Sequence, residues 1–232
     1  MAADEILQRI SNLTARAERL KGSPAYFQSF GFAPKTIIDV GVYKGTPWLY
    51  RAFPDAKFHL IDPLPEVPTL IAPWASEIDF ELHPVAVGAG DGEITLNIPL
   101  RGKRRLPNMT SAGTRSLANR TRQRLTGMEQ TTAKVRRLDD LAAPWTGPLG
   151  LKVDTEGHEL DVLEGGTQTI RRCEFVVLEV SMQDRFDNGY RFSDVIARMA
   201  ALEFEPVDFL SGLSQSPLFA DILFAPISAR II

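Results

Sequence analysis

A doubly wound α/β domain is predicted by three features of the sequence. Short β-branched runs alternate with amphipathic segments along most of the chain. The runs end in polar punctuation, as at Gly41, Asp62-Pro63 and Asp154-Thr155-Glu156-Gly157. The last two runs have no helix between them, which predicts an antiparallel final strand. Alternating βα units imply a mostly parallel sheet with helices on both faces.

The elements follow in order. Residues 1–22 are expected to form an amphipathic helix, because Ile6, Ile10, Leu13, Ala17 and Leu20 recur at steps of four and three. Its apolar stripe either packs on the domain or makes a homodimer contact. Lys21-Gly22-Ser23-Pro24 ends it, and residues 23–232 form one domain. Thr36 to Val40 reads as a buried parallel strand. Thr46 is the expected N-cap and Pro47 the first position of the helix that Pro54 stops. Lys57 to Ile61 is the second strand, and Ile78 to Val87 contains a third, interrupted by Pro84. Ile94 to Ile98 and Lys134 to Leu138 read as strands flanking an insertion at 99–133, either a lid or partly disordered. Leu149 to Val153 is a core strand, followed by a helix whose inward face is Leu160, Leu163 and Ile170. Phe175 to Val180 is a strand, Phe192 to Leu202 a helix, and Phe204 to Phe209 and Leu218 to Ala225 complete the sheet.

At 232 residues, 44% hydrophobic and 24% charged, the chain can bury a large core without disulfides. Its one cysteine, Cys173, precedes an apolar run and reads as structural. No apolar run approaches the ~20 residues of a membrane span, and the N-terminus lacks a signal-peptide core, so a cytoplasmic protein with no membrane partner is expected. The net charge of −3 is uneven. Eight basic residues and no acid lie between Arg101 and Met128, leaving −11 on the rest of the chain. The basic segment suggests an anionic acceptor or a solvated loop. Nucleic acid is disfavoured, because the insertion has no aromatic residue to stack on a base.

Two segments carry chemistry. The first, Ile37 to Thr46, is a strand, a glycine turn and a helix start. Ligands of open α/β sheets bind at the carboxyl ends of the strands. Tyr43 and Thr46 replace the second and third glycines of a dinucleotide fingerprint, and no phosphate loop is present, so a ligand without a pyrophosphate is indicated. Asp62, 23 residues after Asp39, ends the next strand and can accept from ribose hydroxyls. The second segment, Leu151 to Leu160, brings Asp154, Glu156 and His158 to a strand end. On an extended chain these three alternate onto one side. Asp154 or Thr155 could instead cap the helix, with Glu159 and Asp161 favouring its positive end.

In this order, DVGVYKGT (39–46), LIDPLPE (60–66), HPVAVGAGDGEITL (83–96), VRRLDDL (135–141), LKVDTEGHELDVLEGG (151–166) and ADILFA (220–225) resemble the FkbM family of methyltransferases. That family usually has Asn where this chain has Tyr43, and often Glu at position 62. The resemblance implies a seven-stranded class I methyltransferase (Rossmann-like) sheet, S-adenosylmethionine as donor, and O-methylation of a sugar or natural-product hydroxyl. It places Asp39, Gly41 and Gly45 at the methionine end, Asp62 at the ribose, and Pro84 to Val87 near the adenine. Tyr43, Thr46, Pro63, Val85, Ala86 and Asp154 complete the expected cofactor-binding set.

Asp154, Glu156 and His158 are the expected catalytic residues, with no metal. Methyl transfer is chiefly a matter of alignment, and a hydroxyl acceptor benefits from a base, for which His158 has the suitable intrinsic pKa. Two rival readings are a non-catalytic domain that binds a nucleoside ligand or a partner, and a dehydrogenase, which the missing glycines oppose.

Overall fold

The computed structural model describes residues 21, 23–113, 125–210 and 218–229. The N-terminal helix expected over 1–22, apart from Lys21, lies outside these residues, as do Arg115, Arg120, Arg122 and Arg124 of the basic segment.

The strands are β1 (Thr36–Val40), β2 (Lys57–Ile61), β3 (Asp79–His83), β4 (Ala86–Val87), β5 (Gly92–Arg101), β6 (Arg104–Arg105), β7 (Ser111–Ala112), β8 (Gly127–Arg136), β9 (Leu149–Val153), β10 (Cys173–Ser181), β11 (Phe204–Phe209) and β12 (Phe219–Pro226). The α-helices are α1 (Pro24–Ser29), α2 (Pro47–Ala52), α3 (Val67–Ile71), α4 (Leu138–Ala142), α5 (Glu159–Gly165), α6 (Thr167–Ile170) and α7 (Phe192–Ala201). Seven strands form the main sheet in the order β11-β12-β10-β9-β1-β2-β3. Of these, β12 alone runs against its neighbours β10 and β11. The strand order reverses between β1 and β9, which is where a sheet of this kind opens a crevice for ligands.

Alternation along the strands sends the two apolar sets to opposite faces. Ile38, Val40, Leu151, Val153, Val176, Leu178, Ile222 and Phe224 pack under the face that Val162, Leu163, Val195 and Met199 of α5 and α7 cover. Ile37, Phe58, Leu60, Phe175, Val177 and Leu223 face Phe27 of α1 and Leu49 and Tyr50 of α2. Rings of Phe27, Phe53 and Phe175 meet there at centroid distances of 5.2 to 5.5 Å, a spacing at which aromatic pairs are stabilising beyond their area. Cys173 is buried, with its Sγ directed at the Thr169 carbonyl.

Two local expectations are refined and one is corrected. Thr46 is the N-cap residue of α2 and Pro47 its first position, as expected, but the Thr46 side chain makes no capping bond and the fixed φ of Pro47 sets the start. The run from Ile78 to Val87 divides at Pro84 into β3, on the edge of the main sheet, and β4, in another. That second, five-stranded sheet is built around an antiparallel ladder pairing Gly92 with Val135 through to Leu100 with Gly127. Strands β5 and β8 therefore run well past Ile94–Ile98 and into the expected insertion, while Leu138 begins α4. A ladder satisfies backbone groups whatever the side chains, so polar stretches such as Met128 to Thr132 join it with little apolar signal.

On the outer pair β2–β3, His59 and His83 lie with their rings 3.0 Å apart, Nδ1 to Nε2. Burial lowers the proton affinity of both, His59 to about 4. No helix among the described residues is long and apolar enough to cross a membrane.

Candidate active site

The carboxyl ends of the central strands open into a cleft of about 560 Å³, within the usual range of small-molecule sites. Gly41, Tyr43, Gly45, Thr46, Asp62, Pro63, Val85, Ala86, Asp154, Glu156 and His158 all line it. Asp39 does not.

Asp39 is fully buried beneath the cleft. Its Oδ2 accepts from the Tyr50 hydroxyl at 2.9 Å, and its Oδ1 lies 3.6 Å from Nζ of Lys152. The Tyr50 phenol is pushed far up, by burial first and then by the Asp39 charge. Asp39 thus stands under the turn rather than in the cleft.

The turn after β1 is held by Asp62. Its Oδ2 accepts from the Tyr43 amide at 2.8 Å and its Oδ1 from the Leu64 amide at 2.9 Å. A carboxylate offers about four lone-pair sites, so two acceptor positions remain for a ligand. Burial pushes the Asp62 carboxyl up to about 6, against the pull of those two amides. Tyr43 takes φ 45°, a left-handed conformation that Asn tolerates well and that is uncommon for other side-chain-bearing residues. Gly41 has φ +81°, and a Cβ there would stand 1.7 Å from the Asp154 carbonyl oxygen.

At the ends of β9, β10 and β12 charged groups gather on one face. Lys152 is paired in register with Asp39 on β1 and Val177 on β10, and Glu179 with Asp221 on β12. The period of two then puts Asp39, Lys152, Asp154, Glu179 and Asp221 on the same side of the sheet. Lys152 is buried, with Nζ 3.1 Å from Asp154 Oδ2. Burial disfavours its charge, but Asp154 and Asp39 more than offset this and hold its pKa above the usual lysine range. Ligand atoms of Asp154, Glu156 and Glu179 lie within 4.8 Å of one another. Arg185 joins two of them, Nη2 to Glu156 Oε2 at 2.6 Å and Nη1 to Glu179 Oε1 at 2.8 Å, over the ring of Phe219. Burial raises Glu179 to about 7, Asp221 to about 6, and Glu156 well above the carboxylate range.

The Asp154–His158 segment does not stay extended. Glu156 adopts φ 51° and Gly157 φ 104°. Glu159 folds back so that Oε1 accepts from the amides of Thr155 and Gly157 and from the Thr155 hydroxyl. The turn brings Asp154 and Glu156 to Glu179, while His158 meets other partners. His158 Nε2 lies 2.7 Å from the Ala112 carbonyl, and Nδ1 lies 3.2 Å from Asp161 Oδ2. Both ring nitrogens face acceptors, and the contact ties the segment around β7 to the rim of the cleft. Pro107, Asn108, Thr110 and Ala112 of that segment line the cleft. Its described basic residues Arg101, Lys103, Arg104 and Arg105 do not, and Arg105 is paired with Glu66 and Glu129.

Lys152, Glu179, Asp221 and Arg185 were missed by motif reading. For the first three a signal existed: each is a charge inside an otherwise apolar strand run, LGLKV, FVVLEV and ADILFA. A charge at a buried position must be paired or functional. Arg185, in the loop after β10, carries no comparable signal. Replacing Lys152 by Met should leave Asp39 and Asp154 uncompensated and destabilise the protein by about 3–5 kcal/mol. Thermal unfolding should show a loss of roughly 10 °C, partly restored by adding Asp39→Asn. An unchanged melting temperature would show that the buried cation is dispensable.

The fold and cleft define a protein that holds a small ligand at the carboxyl ends of a doubly wound sheet. Residues 39–206 match the family model of the methyltransferase FkbM domain, and the chain belongs to that family. Its sheet is the seven-stranded class I methyltransferase arrangement expected from the sequence, with β12 antiparallel. No curated protein matches the chain in sequence. Among solved structures, it is similar to a TehB-like SAM-dependent methyltransferase from Corynebacterium glutamicum at 10% identity and TM-score 0.43, covering 96% of this chain and 97% of that one. It is also similar to magnesium protoporphyrin IX methyltransferase from Synechocystis with bound SAM, at 9% identity and TM-score 0.48, covering 93% and 82%. Fibrillarin from Aeropyrum pernix, with natively bound S-adenosyl-L-methionine, aligns at 11% identity and TM-score 0.46 over 82% of this chain and 66% of that one.

Proposed function

We propose that this protein transfers a methyl group from S-adenosylmethionine to a hydroxyl of an uncharged sugar-like or natural-product molecule. The observation that carries the reading is the carboxylate group of Asp154, Glu156, Glu179 and Asp221, which lines the same cleft as Asp62 and the Gly41–Thr46 turn.

The residues present fit the donor. Asp62 keeps two acceptor positions for the ribose hydroxyls, the backbone of 41–46 suits the methionine end, and Val85 and Ala86 offer an apolar wall for the adenine. S-Adenosylmethionine, when bound, supplies a methyl group on a cationic sulfonium. Eight carboxylates and two lysines line the cleft. That balance favours the sulfonium and opposes a phosphorylated or otherwise anionic acceptor. The basic segment therefore gives no support to an anionic substrate among its described residues.

The chain's own task is to align the acceptor oxygen and take its proton. Glu179, raised to about 7, is matched to proton transfer near neutral pH. Asp154 and Glu156 orient the acceptor hydroxyls, and Arg185 fixes the carboxylates of Glu156 and Glu179. His158 acts as a positioning residue through Ala112, since its nitrogens are engaged by the Ala112 carbonyl and the Asp161 carboxylate.

The test is S-adenosylhomocysteine formation with polyol, phenol and amine acceptors. Glu179→Gln should lower kcat about 100- to 10,000-fold with donor affinity preserved, and wild-type turnover should rise with pH through about 7. Turnover of amines alone would overturn the hydroxyl assignment. Donor binding without turnover of any acceptor would favour a ligand-binding domain.

A further inference from the structure

A second cluster of chemistry-bearing side chains lies outside the cleft, at the edge of the main sheet. Strands β2 and β3 pair in parallel with His59 opposite Glu81 and Ile61 opposite His83. Glu81 and His83 are two residues apart on one strand, so both project to the side on which His59 stands. His59 Nδ1 is 3.0 Å from His83 Nε2 and 3.8 Å from Glu81 Oε2. One ligand atom from each of the three lies within 4.8 Å of the other two. Two of the chain's three histidines are thus gathered with a carboxylate, though 24 residues of sequence separate them.

We propose that His59, Glu81 and His83 form a transition-metal site, for which Zn²⁺ is the ion that best suits the donors. Two imidazole nitrogens and one carboxylate oxygen are a ligand set that zinc uses, with a fourth position left for water. Zinc–ligand bonds of about 2.0–2.1 Å in a tetrahedron put neighbouring donors about 3.3–3.4 Å apart. The distances of 3.0 and 3.8 Å bracket that edge, so small side-chain shifts complete the geometry.

Two further features favour a ligand site over a plain histidine pair. The indole of Trp145 stacks on the His59 imidazole at 3.8 Å between centroids and 9° between planes, which fixes the ring in its plane. Access is one-sided: the side chain of His59 is 8% exposed, whereas that of Glu81 is 60% exposed, so an ion enters past the carboxylate. Bound metal would clamp the edge strand β3 to β2. The His83 carbonyl also accepts from the amides of Asp62 and Val85, so the clamp lies directly behind one wall of the cleft.

The experiment is a zinc titration of the full chain, free of any affinity tag, against a chromophoric chelator. Co²⁺ absorption then reports the donor set. One equivalent should bind, with a tetrahedral Co²⁺ spectrum and a rise in melting temperature. His83→Ala should weaken binding by more than the about 10–100-fold that loss of an outer-shell partner costs, and Glu81→Gln should weaken it less. Circular dichroism and the metal-free melting temperature confirm that both variants fold. Equal zinc affinity in wild type and His83→Ala would overturn the proposal, as would zinc binding lost in Glu156→Gln but kept in His83→Ala.

Discussion

Asp62→Ala should weaken S-adenosylmethionine binding about 100-fold. A hydrogen bond to a charged acceptor contributes about 1.5–3 kcal/mol, two are available to the ribose, and each 1.4 kcal/mol is about tenfold. The carboxylate also holds the amides of Tyr43 and Leu64, so the variant should loosen the turn after β1 as well. Calorimetric titration measures the change, with melting temperature to separate loss of the site from loss of the fold. The pH dependence gives an independent check. Burial raises Asp62 to about 6, so the carboxylate is ionised above that pH and takes a proton as the pH falls through it. A protonated carboxyl has one acceptor position fewer and carries no charge. Affinity should therefore be constant between about pH 7 and 8 and fall roughly tenfold by pH 5. In Asp62→Asn that fall should vanish. A wild-type affinity that does not change between pH 7.5 and 5 would remove Asp62 from the donor site.

Gly41→Ala should have the largest effect on the fold. The backbone at Gly41 donates to the Ile61 carbonyl on one side, while Asp154 donates to the Val40 carbonyl on the other. The residue is wedged where β1 leaves β2 and β9. An added Cβ would lie 1.7 Å from the Asp154 carbonyl oxygen and 2.7 Å from its carbon, both backbone atoms that cannot rotate away. The left-handed φ of +81° adds a cost of roughly 1–2 kcal/mol. Relief requires β1 and β9 to part at the point where the ligand crevice opens. The loss should exceed about 4–5 kcal/mol, the range reserved for severe steric or burial defects. The expected result is insoluble protein, or a melting temperature lowered by more than about 10 °C. Gly90→Ala is the control, since its Cβ would have no neighbour within 4 Å. If Gly41→Ala is as stable as Gly90→Ala, the close approach of the two strands is not what fixes this glycine.

The main sheet was legible because buried parallel strands leave continuous apolar runs that few other structures share. Thr36 to Val40, Lys57 to Ile61 and Leu149 to Val153 end in the structure at the residues where their polar punctuation begins. The second sheet was only half legible. Ile94 to Ile98 carries an apolar signal, but its partner strand in the ladder from Gly92–Val135 to Leu100–Gly127 is mostly polar and gave little sign of itself. The extended reading of Asp154 to His158 was overturned by Glu159, which acts on the turn before it rather than on the helix after it.

The sequence by itself determined the fold class, the family, the glycine turn, and the strand-end acids Asp62, Asp154 and Glu156. These are local patterns, set by the spacing of apolar and polar residues over one or two elements. Only the tertiary structure decided that Asp39 supports Lys152 from beneath, that Glu179 and Asp221 join Asp154, that Arg185 locks two carboxylates, and that His158 holds Ala112. Strand order and register make those meetings. Partners brought together from β1, β9, β10 and β12 lie dozens to more than a hundred residues apart, and no spacing rule along the chain encodes which of them will face one another.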